Sequence, residues 1–344
     1  MPTPPIYAAN PTQLATVSWA FVEDWIAGLQ TCCNAAHLDS ILERAGLQSS
    51  SGQHARRVTL DQMVRLYQIA AIETEDEMTG LWSRTIRPRA LQHLLTTIRE
   101  STSLAAALYR YSTFWNLLLD DYRFELETGD ATTALHLLPR GRQQSQRFGH
   151  MLILKLAHGL ASWMAGYEVR VQAVQFGFGR PRFAPDYNVI FPAPVRFGAP
   201  HSAIVFAART IDPFGPRTNA DLHAFLESAP RDWLFTGMRE HTQSLRVREF
   251  LYRTDWQEAY LENAARALKV TPRTLMRRLS AEDSSFQAIK DDLRRDLAIR
   301  GLQAGDKSIE EISQDVGFSS SANFHRAFLR WTGVTPSSYR QSMK

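Results

Sequence analysis

Residues 271–279 read Thr-Pro-Arg-Thr-Leu-Met-Arg-Arg-Leu, and residues 316–328 read Val-Gly-Phe-Ser-Ser-Ser-Ala-Asn-Phe-His-Arg-Ala-Phe. In the first stretch Thr271 suits a helix N-cap. Pro272 suits the first helical position, where its missing N–H is no loss. Helical spacing then buries Leu275 and Leu279 and turns Arg273, Thr274, Met276, Arg277 and Arg278 outward. In the second stretch Gly317 supplies a left-handed turn. Ser319 or Ser320 then caps a helix that buries Phe324, Ala327, Phe328 and Trp331. The opposite face of that helix carries Ser321, Asn323, His325, Arg326 and Arg330.

A shorter helix precedes each stretch. Asp255-Trp-Gln-Glu258 and Ser308-Ile-Glu-Glu311 both match a capping box. The first predicts a helix to about Leu268, with Tyr260, Leu261, Ala264, Ala265 and Leu268 on one side and a tight turn at Lys269–Val270. The second predicts a helix with Ile309, Ile312 and Val316 on its apolar face. A helix, a short turn and a second helix rich in exposed arginine make the helix-turn-helix pattern. One such copy is a weak signal, because an exposed arginine face is usually just solvated. Two capped copies joined by an amphipathic helix are far more specific. Phe286, Ile289, Leu293, Leu297 and Leu302 supply the apolar stripe of that connecting helix. At 1.5 Å per residue it spans roughly 25 Å. Helix thickness at each end brings this toward the ~34 Å between major-groove faces one turn apart. Arginine reads guanine through two parallel hydrogen bonds and asparagine reads adenine similarly, while Ser, His and helix N–H groups hold phosphates.

Composition agrees. The chain has 344 residues and a net charge of +4, with 17 Lys and Arg against 14 Asp and Glu from Glu240 onward. The basic excess therefore sits mostly in the C-terminal third, which is compatible with a nucleic-acid partner though a weak signal by itself. The only cysteines are the neighbours Cys32 and Cys33, which make neither a disulfide framework nor a zinc site. Nothing reads as a membrane span or a secretory signal, so the expected location is the cytoplasm, with no membrane partner.

Upstream, Thr12 to Leu29 reads helical, and Asn34 caps a helix toward Gly46 with Leu38, Ile41 and Leu42 on one face. Gln48 to His54 reads as a polar loop, and Thr59 caps a helix carrying Leu60, Met63, Leu66, Tyr67 and Ala70. Ser101 to Asp120 is another helix. Tyr122–Thr128 and Thr133–Leu138 alternate around Gly129–Asp130, which is a hairpin signature. A helix follows at Gln144 to Met164, then strands at Val169–Phe178, Val189–Phe197 and Ala203–Ala208, and a helix at Asn219–Ser228. The expected fold is an α+β N-terminal domain of helices plus an antiparallel meander. An all-α domain with two helix-turn-helix units joined by a connecting helix follows it. The expected boundaries are 1–230, a linker at 231–244, and 245–344.

From Leu261 to Arg340 the residues strongly resemble the DNA-binding domain of AraC/XylS transcription regulators. The two stretches quoted above and the tail Trp331-Thr-Gly-Val-Thr-Pro-Ser-Ser-Tyr-Arg340 carry the likeness. It implies DNA contacts from Arg273, Thr274, Met276 and Arg277 on one recognition helix and from Ser321, Asn323, His325 and Arg326 on the other. Met276 lacks hydrogen-bonding reach, so the first unit is expected to read bases less sharply. Lys269 and Asp283 stand where the family often has glycine, at a cost on the order of 1 kcal/mol each. Phe191-Pro-Ala-Pro-Val-Arg-Phe-Gly198, Arg57-Val-Thr59 and Ile211-Asp-Pro213 resemble the sensor domain of the subgroup that includes ornithine regulators. That implies an effector-sensing and dimerising domain at 1–230, a small organic effector, homodimerisation, double-stranded promoter DNA and RNA polymerase as partners, and an activating role.

No catalytic motif, cofactor loop or metal-ligand spacing is present, so the chain is expected to be no enzyme and to need no cofactor. A repair methyltransferase carrying this DNA-binding domain would need reactive cysteines that this chain lacks. The other reading is an architectural or constitutive DNA-binding protein whose N-terminal domain only oligomerises. His93, His136, His150 and His158 show no ligand spacing. Trp82, Trp115, Phe176 and Phe178 read first as core and only second as an effector pocket.

Overall fold

A computed structural model describes residues 16–47, 57–129, 132–141, 146–191, 193–207, 217–234, 243–280 and 284–341. From the N-terminus the elements run β1 (Thr16–Ser18), α1 (Trp19–Leu29), α2 (Ala35–Arg44), β2 (Arg57–Thr59), α3 (Leu60–Glu73), α4 (Ala90–Ile98) and α5 (Leu104–Leu118). Next come β3 (Tyr122–Thr128), β4 (Thr132–Pro139), α6 (Arg147–Ala165), β5 (Val171–Phe176), α7 (Tyr187–Ile190), β6 (Val195–Phe197) and β7 (Ser202–Ala207). The rest is helical: α8 (Asn219–Glu227), α9 (Arg231–Leu234), α10 (Gln243–Arg253), α11 (Leu261–Ala267), α12 (Pro272–Ser280), α13 (Phe286–Ala304), α14 (Ile309–Asp315), α15 (Ser321–Thr332) and α16 (Pro336–Gln341).

These elements form two compact units. Of the described residues, one holds 16–19, 57–61 and 243–341, and the other holds 20–47 and 62–234. The expected linker at 231–244 thus begins with α9, whose Trp233 is fully buried in the second of these units. Trp233 packs against Gly159 of α6 so closely that a side chain there would overlap it.

The α+β unit is built on a five-stranded sheet in the order β3-β4-β7-β5-β6. The expected hairpin is present, with Phe124 opposite Leu137 and Leu126 opposite Leu135. The meander is corrected in two respects. β7 inserts between β4 and β5, and β6 pairs with β5 in parallel. Part of the strand expected at Val189–Phe197 is the helical turn α7, where Tyr187 and Ile190 bury themselves in the aromatic core. α6 is buried along nearly its whole length, with His150, Lys155 and His158 among its buried residues. Trp82, Trp115 and Phe176 are buried, and Phe178 stacks on Phe176 with ring centroids 4.9 Å apart. That is core packing.

One further expectation is adjusted, and one helix stands where none was expected. Thr16–Ser18 is an antiparallel strand against Arg57–Thr59 rather than the start of a helix, because its β-branched Thr16 and Val17 fit the ladder. α4 has no capping side chain and follows Arg89 at φ +75°, so nothing local announces it. Asn34, Ser103 and Thr218 do cap their helices, the last with a full capping box through Asp221. The loop expected at Gln48–His54, Asp130 of the hairpin turn, Pro192, the Ile211-Asp-Pro213 motif and Asp283 lie outside the described residues.

The helical unit has two apolar clusters. Val247, Leu251, Ala264, Leu275, Leu279, Ile289 and Leu293 join α10, α11, α12 and the first half of α13. Ile299, Leu302, Ile312, Val316, Phe324, Phe328 and Tyr339 join the second half of α13 to α14, α15 and α16. Leu297 touches both clusters, so α13 is the shared spine.

Candidate nucleic-acid interface

α11 and α12 form the first helix pair. The turn between them puts Lys269 at φ +55°, the left-handed conformation expected there. Thr271 then caps α12, its Oγ1 accepting from the Thr274 N–H at 3.2 Å. Leu275 and Leu279 go under, and Arg273, Met276 and Arg277 stay exposed, with Thr274 half-buried. Arg278 is exposed but its guanidinium donates to Gln243 Oε1 at 3.3 Å, which ties α12 to α10. Tyr260 occupies the N-cap of α11, which corrects the start expected at Asp255. Asp255 Oδ1 accepts from the Gln257 N–H in a local turn, and Glu258 turns to the Asn263 side chain instead of back to Asp255. Lys290 of α13 holds that segment, donating to the Ala259 carbonyl at 2.7 Å.

α14 and α15 form the second pair. Ser308 and Glu311 make the full capping box, and Gly317 takes φ +78° in the turn. Ser320 is the N-cap residue of α15, but its side chain makes no capping bond, which narrows the expected role of Ser319 or Ser320. Asn323 and Arg326 are exposed, while Ser321 and His325 are half-buried. Asn323 Oδ1 accepts from Arg326 Nη2 at 2.6 Å, so these two side chains form one hydrogen-bonded unit. Arg330 instead reaches Asp291 of α13 at 3.3 Å. Gly333 ends α15 at φ +77°, and Thr335 starts α16 by accepting from the Ser338 N–H.

All eight residues expected to meet DNA thus lie on α12 and α15, within one compact unit. The arginine, asparagine and hydroxyl groups there are the types that read base edges and hold phosphates. Sequence reasoning missed the buried polar scaffold behind them. Asp296 on α13 is buried and bonds Arg248, Arg295 and Thr16. Burial alone would raise its carboxyl. Arg295, Arg248, Arg57 and the Thr16 hydroxyl outweigh burial and hold it below the usual carboxylate range. Its partners are scattered along the chain, and no local pattern signals them. Among the described residues no helix is long and apolar enough to cross a membrane. Nor, among them, are any three His, Cys, Asp or Glu residues placed to hold a metal ion.

A pair of helices around a tight turn, presenting arginines and packed on its own core, defines a helix-turn-helix protein. Residues 264–342 match the helix-turn-helix domain family, and residues 36–213 match the arabinose-binding domain of AraC transcription regulators. The chain belongs to the AraC family of transcription regulators. It is 28% identical over 226 residues to the ornithine utilization regulator of Pseudomonas aeruginosa, covering 66% of this chain and 64% of that one. It is 34% identical over 97 residues to the regulator VqsM of the same species, covering 28% of this chain and 30% of VqsM. It is 38% identical over 81 residues to the urease operon transcriptional activator of Escherichia coli, covering 24% of this chain and 27% of the activator. The chain therefore spans less than two thirds of the length of each of these relatives.

Proposed function

We propose that the chain is a cytoplasmic, effector-responsive transcription regulator that binds promoter DNA through both helix pairs. α12 and α15 act as two recognition helices of one DNA-binding unit, which includes the strands β1 and β2 besides the C-terminal helices, and the α+β unit senses a small organic effector. The observation that carries this reading is the matched exposure of Arg273 and Arg277 on α12 and of Asn323 and Arg326 on α15, in one unit. Arg277 and Arg326 meet base edges or phosphates, and Met276 adds an apolar contact. Activation, homodimerisation and contact with RNA polymerase complete the proposal. The relative named for ornithine utilization favours a small metabolite as effector.

Genome-wide occupancy of the tagged chain tests this reading, with the Arg277→Ala/Arg326→Ala double variant as control. A few sharp sites that vanish in the control support a sequence-specific regulator. Diffuse binding equal in both would replace it with an architectural role.

A further inference from the structure

Both helix pairs pack on α13, which makes it one line of attachment between them. The structure holds a second line. Trp256, in the segment before α11, packs against the first apolar cluster. Its indole Nε1 donates to the Asp315 carbonyl at the end of α14, at 2.8 Å. Arg294 of α13 lies between the two pairs. Its guanidinium sits 4.9 Å from the Trp256 ring centroid and 4.8 Å from that of Phe318. The same guanidinium donates to the Gly317 carbonyl at 3.0 Å. Gly317 has no side chain where one would overlap the Trp256 ring. Phe318 in turn contacts Phe324 and Trp331 of α15, with centroids 5.7 and 5.9 Å away.

The geometry points to Trp256 as a positioning residue that, through Arg294 and Phe318, fixes the spacing and roll of α12 relative to α15. A flat indole, a planar guanidinium and a phenyl ring stack favourably in a partly desolvated setting. Two hydrogen bonds to the carbonyls of Asp315 and Gly317 set the register of that stack. Two separate lines of contact restrict rotation of one pair against the other more than one line does. The role deepens the DNA-binding reading: the chain reads two half-sites at one set separation, and Trp256 determines which separation.

The test uses the full chain with Cys32→Ser and Cys33→Ser, spin-labelled at Ser280→Cys on α12 and Leu329→Cys on α15, both exposed. Pulsed dipolar spectroscopy gives the distribution of distances between the labels. The expected result is one narrow distribution that broadens at least about twofold with Trp256→Ala and is only partly restored by Trp256→Phe, which keeps the ring but lacks the indole N–H. An unchanged distribution in a folded Trp256→Ala chain overturns the proposal. Should that variant fail to fold, Arg294→Met decides in the same way. A second arm uses a duplex selected by the wild-type chain from a random pool. One base pair inserted between the half-sites should weaken wild-type binding on the order of tenfold and Trp256→Ala binding much less. Equal penalties in both overturn the spacing role. A wild-type chain that selects no sequence removes the DNA-binding reading, while the label distances still decide the positioning role of Trp256.

Discussion

Asp296, midway along α13, accepts from Arg248 of α10 at 2.8 Å, and the two side chains are only 2% and 11% exposed. A buried pair of this kind is a poor source of net stability, but breaking it leaves a charge without its partner. Asp296→Ala should therefore destabilise the helical unit by about 3–5 kcal/mol, read by urea unfolding. The pair also sets a pH response. The Asp296 carboxyl lies below its ordinary value in the fold. Its contribution is present above the unfolded carboxylate pKa of about 3.9 and is lost as pH falls through the lower folded value. Asp296→Asn should flatten the acid limb of the stability curve; an identical limb would count against the assignment.

Arg326 and Asn323 share a hydrogen bond of 2.6 Å, which holds the guanidinium in one orientation on α15. Arg326→Ala should weaken specific DNA binding by roughly 1–3 kcal/mol. Asn323→Ala should weaken it too, and the double variant should lose less than the sum, because contacting residues couple. Fluorescence anisotropy with a selected duplex measures all three.

Arg273 and Arg277 are exposed on α12. Each alanine substitution should lower the slope of log affinity against log salt by about 1 if that arginine neutralises a phosphate. A slope that stays put while affinity falls for one sequence only would mark that arginine as a base reader instead.

His150 is buried in the α+β unit, its Nδ1 2.7 Å from Ser202 Oγ. The Gly177 N–H donates to the same oxygen at 3.0 Å, tying the ring to the start of the turn after β5. Burial depresses the His150 pKa from 6.5 to about 4. Below pH 6.5 the unfolded chain binds a proton that the folded unit refuses, so stability falls as pH drops toward 4. The loss should approach about 3 kcal/mol at one pKa unit per 1.36 kcal/mol. His150→Gln should remove most of that slope in denaturant titrations between pH 4 and 7.

Lys269 sits at φ +55°, a backbone conformation that an L side chain resists. Lys269→Gly should raise the thermal midpoint of the helical unit, with a gain of about 0.5–1 kcal/mol once the entropy of glycine is subtracted. A lower midpoint would mean that the lysine side chain makes a compensating contact.

The elements legible in the sequence were those with local chemistry at their ends. Ser308 with Glu311, Thr271 before Pro272, Gly317 and Gly333 each announce a boundary within four residues, and the structure places each as read. Where the deciding partner is distant, reading failed. β1 needs Arg57–Thr59 to be a strand at all. β6 takes its parallel partner only after the chain has passed through α7. Asp255-Trp-Gln-Glu258 has the letters of a capping box, but Trp256 is anchored on Asp315, far down the chain, and the helix starts later. The recognition faces were readable because they are the helix sides that packing leaves over. Trp256, Arg294 and Asp296 were not, because their roles exist only once the chain has folded.

The strands β1 and β2 precede most of the α+β unit in the sequence yet belong with the helices that end the chain. A ribosome therefore releases the first pieces of the helical unit long before α13 emerges, and the intervening unit is complete in between. Thr16 and Arg57 must wait for Asp296, so the helical unit closes last. Grafting residues 243–344 onto another protein would leave that carboxylate without two of its partners. A working transplant has to carry the early ribbon with it.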